Sequence, residues 1–105
     1  MAHVHVEPGI CGFTTEITAV ADDDLQVKVS LTSDCEAIKA MEADLQELDG
    51  YTEVLGKWGS STVAKAARLH CHHAACPVPA AILKGIEVAC VLALPKDVVM
   101  RISKE

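Results

Sequence analysis

Five cysteines and five histidines are the residues of this 105-residue chain that are best suited to chemistry. The segment HCHHAACPVP, residues 70–79, holds three of the histidines and two of the cysteines, and the other cysteines stand at positions 11, 35 and 90. Thiolates and imidazoles are the ligands that Zn²⁺ and iron–sulfur clusters prefer in proteins. A site of this kind requires the fold to bring ligands from separate segments together.

The first third of the chain carries apolar side chains at every second position, which is typical of strands with one buried face. We expect strands over residues 2–7, 13–21 and 25–31. Asp22, Asp23 and Asp24 separate the second and third of these, and short acidic side chains favour turns. The second and third strands are therefore expected to form a hairpin.

The open end of this hairpin holds two cysteines. With the turn centred on Asp23, Cys11 faces Cys35. Facing side chains of antiparallel strands lie about 5 Å apart. Both cysteines are also in phase with the apolar face of the hairpin, so the sequence predicts that the two thiols are neighbours.

Apolar periodicity and capping signals predict three helices after the hairpin. They cover residues 34–48, about 61–73 and 78–93. Ser33 and Glu36 have the spacing of a capping box for the first helix, and Gly50 is expected to close it. Three residues are candidate caps for the second helix: Ser60, Ser61 and Thr62. Pro77 and Pro79 suit the first turn of the third helix.

Alternation returns at the end of the sequence and completes the expected fold. Val98, Met100 and Ile102 predict a final strand after Pro95. The element order is then β-β-β-α-α-α-β, an α+β fold in which an antiparallel sheet packs on about three helices. The length suits a single domain over residues 1–105.

This arrangement predicts a site in which cysteines are the main ligands. If the first two helices pack antiparallel, the chain returns Cys76 to the end of the sheet that holds Cys11 and Cys35. Helix N-termini stabilise thiolates, which are the form that binds metal. His73, one turn before Cys76, is the preferred fourth ligand, and Cys71 is the alternative. The set suits zinc or an iron–sulfur cluster, and the sequence leaves that choice open.

Three motifs resemble the NifU/IscU family of iron–sulfur scaffold proteins. They are PGICG at residues 8–12, the cysteine at position 35 before a helix, and CPVPAAI at residues 76–82. The resemblance covers residues 8 to about 92 and implies a NifU/IscU-like fold with Cys11, Cys35 and Cys76 as cluster ligands. It also implies that His73 or His72 replaces the histidine of the family, and that a protein donates or accepts the cluster or its sulfur. The HxxCPVPxAI pattern also resembles a small uncharacterised family of cysteine-containing proteins.

We therefore expect a protein that binds a metal or cluster rather than a turnover enzyme. Two alternatives stay open. One is thiol redox or persulfide handling, in which Cys11 and Cys35 form a reversible disulfide. The other is an interaction module with a structural zinc. His3 and His5 share one face of the first strand, where a solvated surface is the simpler interpretation, and Cys90 is expected to be a small core residue.

Composition sets the expected surroundings of the protein. The net charge of −6 disfavours phosphate backbones and anionic lipid, and one Trp, one Tyr and one Phe offer few stacking platforms. We therefore expect no nucleic-acid or membrane partner. The sequence shows neither a membrane span nor a signal peptide, so a cytoplasmic location is expected, where thiols stay reduced.

Overall fold

The structure, a computed structural model, describes residues 1–105 and is an α+β fold, as the sequence predicts. The elements follow in the order β1 (Ala2–Val6), β2 (Thr15–Ala21), β3 (Gln26–Ser33), α1 (Glu36–Met41), a 3₁₀ helix (Glu42–Leu45), β4 (Leu48–Asp49), α2 (Gly50–Leu55), α3 (Thr62–His70) and α4 (Val78–Ala89). The strands form one antiparallel sheet in the order β1-β2-β3-β4. The three predicted N-terminal strands and two of the three predicted helices are therefore present.

The helices cover one face of the sheet and leave the other face open. Alternate residues of each long strand are buried under the helices, while the residues between them are largely exposed. Helix α4 packs across β1 and β2, and α1 with the 3₁₀ helix packs against β3. The largest fully buried side chains include Ile17, Ile38, Met41, Leu45, Leu48, Ile82 and Ile86. The core is built from aliphatic side chains, as expected for a chain with only one Trp, one Tyr and one Phe.

The β2–β3 hairpin forms, but its register differs from the prediction by two residues. Thr15 pairs with Ser33, so Cys11 lies before the start of the hairpin and does not face Cys35. The turn is the cause. Asp22 Oδ1 accepts hydrogen bonds from the backbone N–H of Asp24 at 2.8 Å and of Gln26 at 2.9 Å. The turn is thereby centred one residue later than expected, and the shift of two preserves which residues face the core.

The predicted helix over 34–48 is wrong in length, because three elements occupy this part of the chain. Helix α1 ends at Met41, the 3₁₀ helix follows, and Leu48 then pairs with Val27. Gly50 begins α2 instead of closing a helix. The Asp49 side chain caps α2 by accepting hydrogen bonds from the N–H groups of Tyr51 and Thr52. The capping box is also wrong, because Ser33 is a strand residue and Cys35 is the N-cap of α1.

The two long helices agree better with the sequence. Ser61 caps α3 through Ser61 Oγ, which accepts a hydrogen bond from the N–H of Ala64 at 3.0 Å. The helix ends at His70 rather than near residue 73, and α4 ends at Ala89 rather than residue 93. Val91 follows in the left-handed region at φ 57°, which stops the helix. None of the helices combines the length and apolar character that crossing a membrane requires.

The predicted final strand does not form. Residues 94–105 have no regular secondary structure, and their backbone makes no hydrogen bonds to the sheet. The alternating pattern of Val98, Met100 and Ile102 is present, but all three side chains are exposed. An extended segment becomes a strand only when a neighbouring strand completes its hydrogen bonds, and here it has no neighbour.

Candidate functional site: a cluster of thiols

Cys35 is held at the end of the sheet where β3 leads into α1. It is the N-cap residue of α1, and its side chain is half-buried against the core. Its backbone N–H donates to Ser33 Oγ at 3.1 Å, and that oxygen accepts a second hydrogen bond from Thr15 Oγ1 at 2.9 Å. The β2–β3 pairing and this buried hydroxyl pair therefore fix the position of Cys35.

Cys71 and Cys76 reach the same end of the molecule from α3 and α4. Cys71 is the C-cap of α3, and its N–H donates to the carbonyl of Ala67 at 2.8 Å. Cys76 lies in the short connection before α4, where its N–H donates to the carbonyl of His73 at 3.2 Å. Both side chains are half-buried and pack against the core. The connection between the two helices therefore presents two thiols to the interior.

We call Cys35, Cys71 and Cys76 the thiol cluster. Burial raises the pKa of Cys71, and the neighbouring thiols of Cys76 and Cys35 raise that pKa further, since their thiolates would repel a thiolate at Cys71. Cys71 Sγ also donates to the buried thioether Met41 Sδ at 3.7 Å. The β3–α1 junction and the α3–α4 connection thus place three thiols near one another, and Met41 adds a fourth sulfur atom in contact with Cys71.

Cys11, which the sequence places in the site, lies outside the thiol cluster. It is exposed in the connection between β1 and β2, within a turn closed by a hydrogen bond from the N–H of Gly12 to the carbonyl of Gly9 at 3.0 Å. Both glycines have positive φ angles, 100° and 72°. The connection leads into Thr15, which pairs beside Ser33, so Cys11 belongs to the same end of the sheet. The predicted Cys11–Cys35 pair is therefore not formed.

The histidines near the cluster differ in their availability. His72 and His73 are exposed in the connection after α3. His70 is engaged elsewhere, because its Nε2 lies 3.1 Å from Asp44 Oδ2. No group of three His, Cys, Asp or Glu side chains in the structure has an arrangement that could hold a metal ion. Cys35, Cys71 and Cys76 are thus neighbours, but their side chains do not form a preassembled coordination site.

Sequence reasoning underrated two members of this region. It gave Cys71 only as an alternative ligand, and it did not link Met41 to the cysteines. The contact between them joins the end of α1 to the end of α3. A spacing rule could not find it, because 30 residues separate the two sulfur atoms along the chain.

His3 and His5 lie on the open face of the sheet, away from the thiols. His3 Nδ1 is 3.1 Å from Thr18 Oγ1 across the β1–β2 pairing. His5 Nδ1 forms a close ion pair with Glu16, and His5 Nε2 lies 3.7 Å from Glu7. These contacts are the cross-strand pairs of a solvated sheet face, which agrees with the simpler sequence interpretation.

The ion pair predicts a pH response at His5. Hydrogen bonding and charge from Glu16 raise the pKa of His5 above its ordinary value, and Glu7 adds a smaller effect. We expect Glu16→Gln to return most of the shift, and Glu7→Gln to return less. An NMR titration of the imidazole carbons in the three proteins measures this. Because the pKa is raised on folding, the pair favours the folded state at low pH, and that contribution disappears as the pH rises through the raised pKa. Equal pKa values in all three proteins would contradict the ion pair.

Cys90 is separate from the cluster. It is 5% exposed and belongs to the hydrophobic core, at the end of α4 far from Val78. Burial raises the pKa of this thiol, with smaller effects from Asp49 and Asp22. Its role is that of a small apolar residue, as the sequence predicts.

The fold and the cluster together define a class: a small α+β protein that gathers half-buried thiols at one end of an antiparallel sheet. The chain belongs to the DUF6951 family, a family of unknown function, whose model matches residues 2–102. No curated protein and no solved structure matches the chain. Its function therefore has to be argued from the thiols themselves.

Proposed function

We propose that the protein binds a thiophilic metal centre, either a zinc ion or an iron–sulfur cluster, through Cys35, Cys71 and Cys76. The observation that carries the proposal is the proximity of these three thiols, which lie at the start of α1, at the end of α3 and just before α4. Burial and the neighbouring thiols together disfavour the thiolate at Cys71. A bound cation reverses this balance, because it attracts the same negative charges that otherwise repel one another.

Metal binding would require the side chains of the cluster to turn toward a common point. Cys35 and Cys71 are helix caps and Cys76 precedes α4, so their backbones are fixed while their short side chains can change rotamer. Cys11 is our choice for a fourth ligand, since it is exposed at the same end of the sheet, and His73 is the alternative. An exposed fourth ligand would give a donor or acceptor protein access to the cluster or its sulfur.

A cytoplasmic location suits this proposal. All five cysteines are free thiols in the structure, and a reducing compartment keeps thiols in the form that binds metal. The proposed activity is binding and transfer, with no catalytic residues assigned. The suggested relation to the NifU/IscU scaffolds has the same basis, namely thiolate ligands brought together from three segments.

Metal analysis of protein prepared without oxygen tests the proposal. We expect about one zinc ion, or iron with acid-labile sulfide and visible absorption, per chain. Cys71→Ser should abolish binding, since it removes the central thiol and leaves a weaker oxygen donor. Cys90→Ala is the matched control, because it removes a cysteine outside the cluster and should keep the metal content of the natural sequence.

Two results would contradict the proposal. The first is protein that stays free of metal both as isolated and after anaerobic incubation with Zn²⁺ or with iron and sulfide. The second is equal metal content in Cys71→Ser and Cys90→Ala, with both variants shown to be folded by circular dichroism. Loss of binding in Cys35→Ser and Cys76→Ser as well would define the three-thiol ligand set.

Thiol redox chemistry is the second candidate, and the same neighbours favour it. Cys71 and Cys76 could form a disulfide by giving two electrons and two protons to glutathione disulfide, which leaves as two glutathione thiols. The predicted pair of Cys11 and Cys35 is a less suitable one, since Cys11 is exposed in a separate turn. Peptide mapping after this oxidation, in metal-free protein, distinguishes the two functions by whether a specific cross-link forms.

A further inference from the structure

The four-stranded sheet has one protected edge and one unprotected edge. At the β3 edge, β4 pairs with the first residues of the strand. Farther along, Glu42 Oε2 accepts a hydrogen bond from the N–H of Leu31 at 2.7 Å, and Gln46 Nε2 donates to the carbonyl of Val29 at 3.0 Å. The outer edge of β1 has no such cover, because β1 pairs only with β2. An uncovered edge of this kind is a ready template for another strand.

The same chain contains a segment with the pattern of a strand and no partner. Residues 94–105 have no regular secondary structure, and their large apolar side chains are exposed to solvent. The exposed fractions are 87% for Leu94, 67% for Val98, 67% for Val99, 77% for Met100 and 92% for Ile102. A run of large apolar side chains this exposed is unusual on a protein that acts alone, and it is typical of an interaction surface.

The alternation of this segment matches the alternation of β1. Ala2, Val4 and Val6 point toward the helices, and His3 and His5 point toward the open face. Val4 is only half-buried although it faces the helices, because no strand lies beside it. If this segment paired beside β1, the side chains of Val98, Met100 and Ile102 would point toward the helices and cover Val4. The alternate residues of the segment, among them Asp97 and Arg101, would then join the polar open face.

The single chain favours a strand that comes from a second molecule, because residues 94–105 make no backbone hydrogen bond to β1 of their own chain. Cys90, the C-cap of α4, has its side chain beside Gly50, at the β3–β4 side of the sheet. The segment therefore leaves the core on the side of the sheet opposite β1. A second molecule related by a two-fold axis can offer its own β1 edge directly. Reciprocal pairing then closes the assembly and covers both edges.

We propose that residues 97–103 of each molecule add as a strand to the outer edge of β1 in a second copy, which gives a symmetric homodimer by strand exchange. The main-chain hydrogen bonds of the added strand hold it, and the phase of its apolar side chains selects which face is buried. The proposal is independent of the thiol cluster, which lies elsewhere and contributes no residue to this pairing.

Two variants of the full chain test whether the dimer forms and which face of the added strand is buried. Met100→Lys places a charge on the face expected to be buried, and Val99→Lys places the same charge on the face expected to be open. Both side chains are exposed in the single chain, so neither change should unfold it. By light scattering after size exclusion, the natural sequence and Val99→Lys should have the mass of a dimer, while Met100→Lys should have the mass of a monomer.

Hydrogen exchange supplies a second readout. The backbone N–H groups of residues 97–103 should be protected in the natural sequence and in Val99→Lys, and unprotected in Met100→Lys. Three outcomes would overturn the proposal: a natural chain that is monomeric at high micromolar concentration, equal masses for the two lysine variants, or protection of residues 97–103 in a monomer. The last would show that the segment pairs within its own chain.

Discussion

Glu53→Ala is expected to lower the free energy of unfolding by about 2–4 kcal/mol, because it leaves two helix N–H groups without their carboxylate. Glu53 is 7% exposed, which is rare for a carboxylate. Its Oε2 accepts a hydrogen bond from the N–H of Thr62 at 2.8 Å, and its Oε1 accepts one from the N–H of Val63 at 2.9 Å. A side chain of α2 therefore satisfies the first turn of α3, where the partial positive charge of the helix also favours a negative group.

The loss of stability should differ between the two N–H groups that Glu53 accepts from, those of Thr62 and Val63. Thr62 is exposed, so water can replace the lost oxygen there, whereas Val63 is fully buried and its N–H would stay unpaired. Glu53→Gln keeps one acceptor oxygen and should fall between the natural sequence and Glu53→Ala. Urea denaturation of the three proteins measures the order.

Glu47→Ala is the matched control for this prediction. Glu47 is an exposed residue for which the structure shows no hydrogen bond or ion pair, so its replacement should change the unfolding free energy by less than about 0.5 kcal/mol. Similar losses in Glu47→Ala and Glu53→Ala would contradict the role given to the buried carboxylate. Because Cys71 is the C-cap of α3, the variant Glu53→Ala should also weaken metal binding if the thiol cluster forms the proposed site.

The strands were the most predictable part of this fold. In the hairpin, the alternating pattern predicts where the strands lie but not the register in which they pair. Alternation depends only on which face of a strand is buried, so it located β1, β2 and β3 within two or three residues. Register also depends on the turn. Asp22 accepts two backbone hydrogen bonds and Leu25 adopts φ 60°. Nothing in the alternation itself indicates that geometry.

Two other errors lie where tertiary contacts override a local signal. Gly50 has the sequence signature of a helix end, yet it begins α2, where the Asp49 side chain caps the helix and the missing side chain of Gly50 leaves room for Cys90. The strand predicted at Val98, Met100 and Ile102 has the correct pattern, but the formation of a strand depends on a neighbour that a single chain need not supply.

The membership of the thiol cluster was only partly predictable from the sequence. Helix boundaries brought Cys35 and Cys76 to one end of the sheet, as the sequence predicted. Cys71 joins them because α3 ends three residues earlier than expected, which makes that thiol a helix cap that faces the core. The same early end leaves His73 exposed in the connection. A change of less than one helical turn therefore decides which of the two candidates, His73 or Cys71, lies with the other thiols.

Gly50→Ala should destabilise the protein by up to about 3 kcal/mol, although helix propensity alone favours the opposite sign. Alanine in place of glycine inside a helix stabilises it by about 0.5–1 kcal/mol. At Gly50, however, an added Cβ would lie 2.3 Å from Cys90 Sγ and 3.1 Å from both the carbonyl oxygen of Leu25 and Val27 Cγ2. The sulfur is buried and the carbonyl accepts the Gly50 N–H at 2.8 Å, so neither can move without cost.

A double-mutant cycle with Cys90→Ala separates the effect of the close contact with Cys90 Sγ from the effect of helix propensity. Removing the sulfur relieves the closest approach, so Gly50→Ala should cost much less in the Cys90→Ala background than in the natural sequence. Urea denaturation of the four proteins gives the coupling between the two sites, which we expect to exceed about 1 kcal/mol in the favourable direction. Strictly additive effects would mean that the sulfur does not limit the site. A stabilising Gly50→Ala would mean that α2 can shift away from α4, and that glycine is not required for the end of α4 to lie beside β4.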